Sequence, residues 1–398
     1  MLIVAGVFVA ILLGMIVNSP SVLIYDEHFY VKGAHLLERG ASFRDLVLAP
    51  LETAAGPLYP IIHWLVAPII GLDAPGIRWL NPVLMAISAL SLSYALKCWG
   101  KPDPWARAAM IFAVPIMWVT VGMALTEVPA FCFMSMSVAF AAWAMSATPE
   151  RRLRLWAGFA LSGICFGVAV LGRQTYLPAV CGFLAIAAFA PPLRWAALAG
   201  AVAAVAVPLP VFLLWGGLVE PDQRFVGGLD LGHGALAFCY LAVVFLILAP
   251  RFYLARWKWA LAAGAVGALA SFLWGGLDFQ VAAGLASRLP PLAARLFQAG
   301  ISAILVGGCA ALVLASGVNM WLNRNDRIFI LLILLTLGLT ATAVANVFQF
   351  SSRYLMTAFP FALLAVQPYF RPSLWAAARL AFGAAIGCVL LLGYYTYK

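Results

Sequence analysis

The sequence predicts an all-α, polytopic transmembrane helical bundle, and two observations carry that prediction. Hydrophobic residues make up 65% of the 398 and charged residues only 10%, whereas soluble domains run near roughly 45–50% apolar and 25% charged. Apolar runs of about 16 to 22 residues recur along the chain, each bounded by Pro, Gly or a charged cluster, and they match a hydrocarbon core of about 30 Å. Counting the runs predicts about thirteen helices and no sizeable soluble domain.

The opening run, Leu2 to Val17, has no basic residue before it and no clean small-x-small site after it. It therefore reads as a retained first transmembrane helix, residues 1–18, and not as a cleaved signal. Residues 19–57 form the longest polar stretch of the chain and hold Asp26, Glu27, Glu38, Asp45 and Glu52. From Asp26, Phe29, Gly33, Leu36 and Leu37 recur at helical spacing, with His28, Lys32, His35 and Arg39 on another face, which predicts a helix lying along the membrane surface. Asp26 suits its first turn and Gly40 its end. A second short amphipathic stretch, Phe43 to Leu48, precedes Pro50, and GPLYP at Gly56 to Pro60 re-enters the membrane. Together they predict a lid-like element.

Two apolar runs follow, Tyr59 to Leu72 and Ile77 to Leu96. The first is shorter than the roughly 17–25 residues of a spanning helix, which predicts a partial or re-entrant element. Basic clusters then recur at Lys97/Lys101/Arg107, Arg151/Arg152/Arg154, Arg194, Arg251/Arg256/Lys258, Arg324/Arg327 and Arg371/Arg379. They mark the cytoplasmic side and place Thr126-Glu127, Gly172 to Gln174, Gly217 to Gly234, Asp278 to Gln298 and Gln349 to Arg353 outside. This alternation predicts a cytoplasmic N-terminus and an external C-terminus. The net charge of +10 lies in these short loops and forms no continuous stripe, so a nucleic-acid partner is excluded. The seven cysteines lie in or beside apolar runs with no CxxC pair and read as packing residues. His28 and His35, roughly 10.5 Å apart along a helix, cannot share one metal ion.

YDEHFYVKGAHLLERG, followed by AGPLYP, resembles the first external loop of the GT-C superfamily of glycosyltransferases. The Asp-Glu pair with its trailing aromatic is similar to protein O-mannosyltransferases and to the aminoarabinose transferases acting on lipid A. GRQTYLP at Gly172 to Pro178 resembles an RQT segment of the glucosyltransferases that use dolichyl phosphate glucose. TEVP at Thr126 to Pro129 and SSRYLMTAFP at Ser351 to Pro360 resemble the superfamily's acidic second loop and its Arg-Tyr segment. The lipid A enzymes carry a soluble domain after their helices, whereas this sequence ends at Lys398 directly after an apolar run, so acceptor identity is not expected to be inherited.

The resemblance implies one transmembrane domain, 1–398, in which 19–57 is the catalytic loop, 58–215 the shared helical module and 216–398 variable helices. It implies transfer of a sugar, with inversion, from a polyprenyl-phosphate donor to a lipid, glycan or protein acceptor outside the cytoplasm. Asp26 takes the catalytic role by resemblance, with capping as its plain alternative. Glu27 is assigned to catalysis or to binding acceptor, sugar or ion, against a solvated surface acid. Arg173 and Arg353 sit where apolar helices meet the outer surface and are assigned to the donor phosphate, against snorkelling to lipid headgroups. Gln174 and Tyr354 are their helpers. Glu127, isolated in an apolar turn, is assigned to the acceptor or a metal, against capping beside Thr126. His28 and Tyr30 are expected at the substrate, and Glu52, Tyr59 and His63 at the donor entrance. The resemblance fixes no cofactor and leaves room for a divalent cation, for which the acids on hand are Asp26, Glu27 and Glu127. Aromatic segments around Trp64, Trp79, Phe238, Tyr240 and Trp274 are expected to line a groove for the polyprenyl tail.

Competing readings are a secondary transporter or lipid flippase, an O-antigen ligase or polymerase, and a non-catalytic scaffold. No repeat is visible between the halves, and the acids cluster in a loop and not at midplane, which favours surface chemistry over transport. The Ala- and Gly-rich composition points to a bacterial inner membrane.

Overall fold

The computed structural model describes residues 1–147, 151–274, 276–348 and 350–396. Among them every regular element is helical, apart from one isolated bridge between Gly227 and Asn346. Gln349, which opens the last segment placed outside, lies outside the described residues. Eight described helices are long and apolar enough to cross a membrane, and a bent pair, Pro104–Ala113 with Pro115–Gly122 at 83°, makes up to nine. Shorter apolar helices cover Leu2–Val17, Leu58–Ile70, Gln174–Phe189 and Trp257–Leu273. The chain is a multi-pass membrane protein, and these segments are the runs counted in the sequence.

The chain forms two compact units, Met1–Val226 with Arg371–Lys398, and Gly227–Phe370. The first unit begins with α1, Leu2–Val17, and α2, Glu27–Glu38, which stops at Gly40 with φ 88°. Then come α3, Phe43–Leu48, and α4, Leu58–Ile70. A reciprocal capping box starts α3: Ser42 accepts from the Asp45 N–H while Asp45 accepts from the Ser42 N–H at 2.9 Å. At 13 residues α4 spans about 20 Å, too little to cross, and it ends at Gly71 in a left-handed φ of 73°. The helix α5, Leu80–Cys98, with its lead-in Gly76–Trp79, makes the first long span.

The expected apolar face of α2 is rotated. The buried stripe is Glu27, Tyr30, Val31, Gly33 and Ala34, because a buried cation faces Glu27, as shown below. The opposite face carries His28 and Lys32 exposed, as the sequence indicated. On α3, Leu46 and Val47 are buried. Val47 clusters with Val211 and Trp215, and the Trp215 indole donates to the Val47 carbonyl at 2.7 Å.

Helix packing in this unit relies on small residues that let backbones approach. The helix Leu374–Thr396 lies so close to Pro115–Gly122 and the turn before it that a Cβ on Gly383 would stand 1.8 Å from the Ala113 carbonyl oxygen. One turn on, a Cβ on Gly387 would fall 2.2 Å from the Trp118 ring.

The second unit packs Leu231–Leu248 and Trp257–Leu273 against Pro291–Leu322. That last helix has 32 residues, about 48 Å. It begins inside the stretch Asp278 to Gln298 that was expected to be an external loop, so part of that loop is helical. The residues expected to line a lipid groove divide between the units. Trp64 and Trp79 belong to the first and Phe238, Tyr240 and Trp274 to the second, while Trp64 and Trp274 are exposed.

Gly383→Ala is expected to lower the melting temperature of the detergent-solubilised protein, by an overpacking penalty of about 1–3 kcal/mol. Gly6→Ala, where no atom lies within 4 Å of the added Cβ, is expected to leave it unchanged or slightly raised.

Candidate active site

The centre of the first unit is Glu27. Its carboxylate and the Arg78 guanidinium are both wholly buried and pair through two hydrogen bonds, Nε to Oε1 at 2.8 Å and Nη2 to Oε2 at 2.7 Å. The remaining donors of Arg78 reach Ser19 Oγ and the carbonyls of Pro20 and Val22 at 2.7, 2.7 and 2.9 Å. That occupies every donor a guanidinium has. The backbone N–H groups of Ile24 and Ala124 donate to the other side of the carboxylate at 2.9 and 2.8 Å. Glu27 is therefore neither a solvated acid nor free to take a substrate or ion, and its role is to tie the first loop to α5 and to the turn before the Glu127–Met145 helix.

Asn81, one turn beyond Arg78, holds that turn from the other side. Its amide donates to the carbonyls of Thr120, Met123 and Leu125 at 3.1, 2.7 and 3.0 Å. The Ala124 N–H is thereby aimed at Glu27, while its carbonyl accepts from the Tyr59 hydroxyl at 2.8 Å.

Asp26 stands beside this knot and differs from its neighbour. It occupies the N-cap position of α2, yet its side chain makes no capping bond, so capping does not account for it. Its carboxylate is half-buried and accepts from the Tyr30 hydroxyl at 3.4 Å. From there rings continue inward, Tyr30 to Tyr59 at 5.7 Å and Tyr59 to His63 at 4.0 Å. The structure thus brings Asp26, Tyr30, Tyr59 and His63 together.

Glu127 opens its helix and pairs with Arg173, which follows the Arg152–Gly172 helix. Thr126, at the cap position, makes no capping bond. The pair reaches the first loop through two glycines. The Gly56 N–H donates to the Gly172 carbonyl at 3.4 Å, and a Cβ on Gly56 would stand 1.9 Å from the Leu171 carbonyl oxygen and 3.6 Å from Gln174 Nε2. A Cβ on Gly172 would meet Leu58 and Ala130 at 2.8 and 2.9 Å. Only glycine at both positions lets GPLYP lie against GRQT, and Tyr59 feels the fields of both Glu27 and Glu127. Around this seam the ring nitrogens of His63, Thr126 Oγ1 and Gln174 Nε2 are buried without a hydrogen-bond partner among the described residues.

Other expected residues stand elsewhere. His28 is exposed with its ring against Phe29 at 3.9 Å. Glu52 is exposed, holds a left-handed φ of 58° and pairs with Lys32. Arg353 and Tyr354 belong to the second unit, in the turn Ser352–Thr357. There Arg353 Nε donates to Ser351 Oγ at 3.1 Å, and Tyr354 accepts from Asn346 Nδ2 at 2.6 Å. Asn346 in turn holds His233 Nδ1 at 2.6 Å through its carbonyl. Among the described residues no group of three or more His, Cys, Asp or Glu side chains is placed to hold a metal ion. The expected set of Asp26, Glu27 and Glu127 does not fit one, since Glu27 and Glu127 are each held by an arginine.

Sequence reasoning missed Arg78, Asn81 and Glu220. Arg78 carried a usable signal, because an arginine between apolar runs needs a buried partner. Glu220 is 4% exposed and accepts from the Leu51 N–H at 3.3 Å, which fastens the end of the first loop. Burial pushes its carboxyl from the ordinary 4.5 up to about 7, the Leu51 bond lowering it in part and Asp222 raising it further.

Removing one partner of the central pair, by Glu27→Leu or Arg78→Met, is expected to cost about 3–5 kcal/mol, and the double variant to recover part of that loss in thermal unfolding. A carboxyl whose folded-state value is raised favours folding while protonated. The stability from Glu220 is therefore full below its ordinary 4.5 and is lost as pH climbs through about 7. Proteolysis within residues 43–56 is expected to quicken over that window, and Glu220→Gln to flatten the pH dependence.

No family model and no curated protein matches this chain. Solved structures similar to it include ArnT from Cupriavidus metallidurans, at 16% identity over 92% of this chain and 77% of that one, with a TM-score of 0.44. The Archaeoglobus fulgidus oligosaccharyltransferase is similar at 13% identity over 96% of this chain and 56% of that one, TM-score 0.42. The S. cerevisiae protein O-mannosyltransferase Pmt1-Pmt2 complex is similar at 15% identity over 54% of this chain, with a TM-score of 0.41, and the match spans 33% of that longer protein.

Proposed function

We propose that this protein is a membrane glycosyltransferase that moves a sugar from a polyprenyl-phosphate donor to a lipid, glycan or protein acceptor on the extracytoplasmic face, with inversion. The observation that carries the reading is the contrast at Asp26-Glu27. Glu27 is consumed by structure, and beside it the half-buried Asp26 carboxylate accepts from the Tyr30 hydroxyl and makes no capping bond to its helix. That is the geometry of a general base.

Asp26 takes the acceptor's proton as the acceptor oxygen attacks the anomeric carbon. The bond from that carbon to the phosphate oxygen breaks, and its electron pair leaves with the polyprenyl phosphate. Arg173, in the same unit as Asp26, is assigned to that developing anion. Arg173 comes with Glu127 as a counter-ion, so phosphate binding exchanges one anionic partner for another. His63, Thr126 and Gln174 leave polar atoms buried and unpaired at about 1–3 kcal/mol each, a cost that a polyhydroxyl substrate offsets by hydrogen bonding. The resemblance of four motifs to the GT-C superfamily, in matching chain order, supports the same reading. The loop-charge bias supports the side.

Wild type and Asp26→Asn, purified in detergent and supplied with a panel of polyprenyl-phosphate sugars, are expected to differ by about 10²–10⁴ in donor turnover, read as released polyprenyl phosphate. A wild type that consumes no donor, or an asparagine variant as active as wild type, overturns the proposal.

A further inference from the structure

The helix Leu374–Thr396 belongs to the same unit as the first loop, although most of the chain lies between them. Its last turn carries adjacent tyrosines, and each meets a different part of the Asp26-Glu27 turn. The Tyr394 ring lies against Tyr25, centroids 4.8 Å apart and planes tilted by 58°. Tyr25 is the residue before Asp26 and holds a φ of 49°, a left-handed conformation that costs a residue with a Cβ about 1–3 kcal/mol and persists only where its surroundings impose it. The next ring, Tyr395, lies under the Arg78 guanidinium at 5.2 Å. Its hydroxyl donates to the Gly122 carbonyl, at the start of the turn whose Ala124 N–H binds Glu27.

The two tyrosines thus touch the chain before Asp26, the cation that holds Glu27, and the turn that completes the Glu27 site. The approach that allows it is the close packing at Gly383 and Gly387 described above, and a Cβ on Gly122 would itself strike Leu391 at 2.3 Å.

We infer that Tyr394 and Tyr395 are positioning residues that set the orientation of the Asp26 carboxylate through Tyr25 and Arg78, making this helix a functional part of the active site. The inference rests on the glycosyltransferase reading only for its kinetic consequence. Misplacing a reacting group by about 1 Å costs on the order of a hundredfold in rate while substrate binding is spared. The signature is therefore a fall in kcat at nearly constant KM.

The test combines hydrogen exchange with donor turnover on the full chain in detergent. Tyr394→Ala and Tyr395→Ala are expected to raise amide exchange across Tyr25 to Tyr30 while leaving the Arg152–Gly172 helix protected. Each is expected to lower kcat by about ten- to a hundredfold. Tyr394→Phe, which keeps the ring, is expected to restore both readouts. Tyr395→Phe keeps the ring under Arg78 but loses the bond to Gly122, and is expected to loosen only the 122–125 turn. Unchanged exchange across Tyr25 to Tyr30 in both alanine variants overturns the inference, as does exchange that rises equally in the Arg152–Gly172 helix. Exchange that rises locally in a protein turning over no donor upholds the positioning role and overturns the glycosyl-transfer reading instead.

Discussion

Everything in the first unit depends on the burial of one ion pair. A guanidinium and a carboxylate wholly removed from water are tolerable only when each hydrogen-bonding position is filled. Here the chain supplies the missing partners from the segment after α1, from the start of α2 and from the turn at Gly122 to Leu125. Such a pair adds little net stability over a hydrophobic substitute, but it accepts only one register of the segments that serve it. That register places Asp26 at the mouth of the first loop and the aromatic chain of Tyr30, Tyr59 and His63 behind it.

The acids of this unit show how surroundings divide identical chemistry. Glu27 and Glu127 are each neutralised by an arginine. Glu220 is buried with a single backbone donor and leans toward its protonated form. Asp26 remains half-buried with a tyrosine hydroxyl.

Local pattern was legible in the sequence. Helical spacing after Asp26, the stop at Gly40, the Phe43–Leu48 helix and the shortness of the segment after GPLYP all follow from periodicity and turn chemistry, and all are present. What the sequence concealed is long-range pairing. Glu27 reads as a surface acid because its partner stands 51 residues away in a stretch dominated by apolar neighbours, and that hidden partner rotated the buried face of α2. The contact of Gly56 with Gly172 was equally invisible, since both motifs were noticed but nothing in their spacing says that their backbones touch. Glu220 reads as one more loop acid until Leu51 is placed against it.

The tie between Tyr395 and Gly122 has a consequence for biogenesis. Its partners are 273 residues apart, and at roughly 5–20 residues per second a ribosome needs about 14–55 seconds to make the chain between them. During that interval α1, the first loop and α5 are already emerging into the bilayer with the Glu27–Arg78 pair lacking its aromatic cover. The nascent protein passes through a stage in which this loop is threaded but unbraced, until the Leu374–Thr396 helix is inserted and braces it.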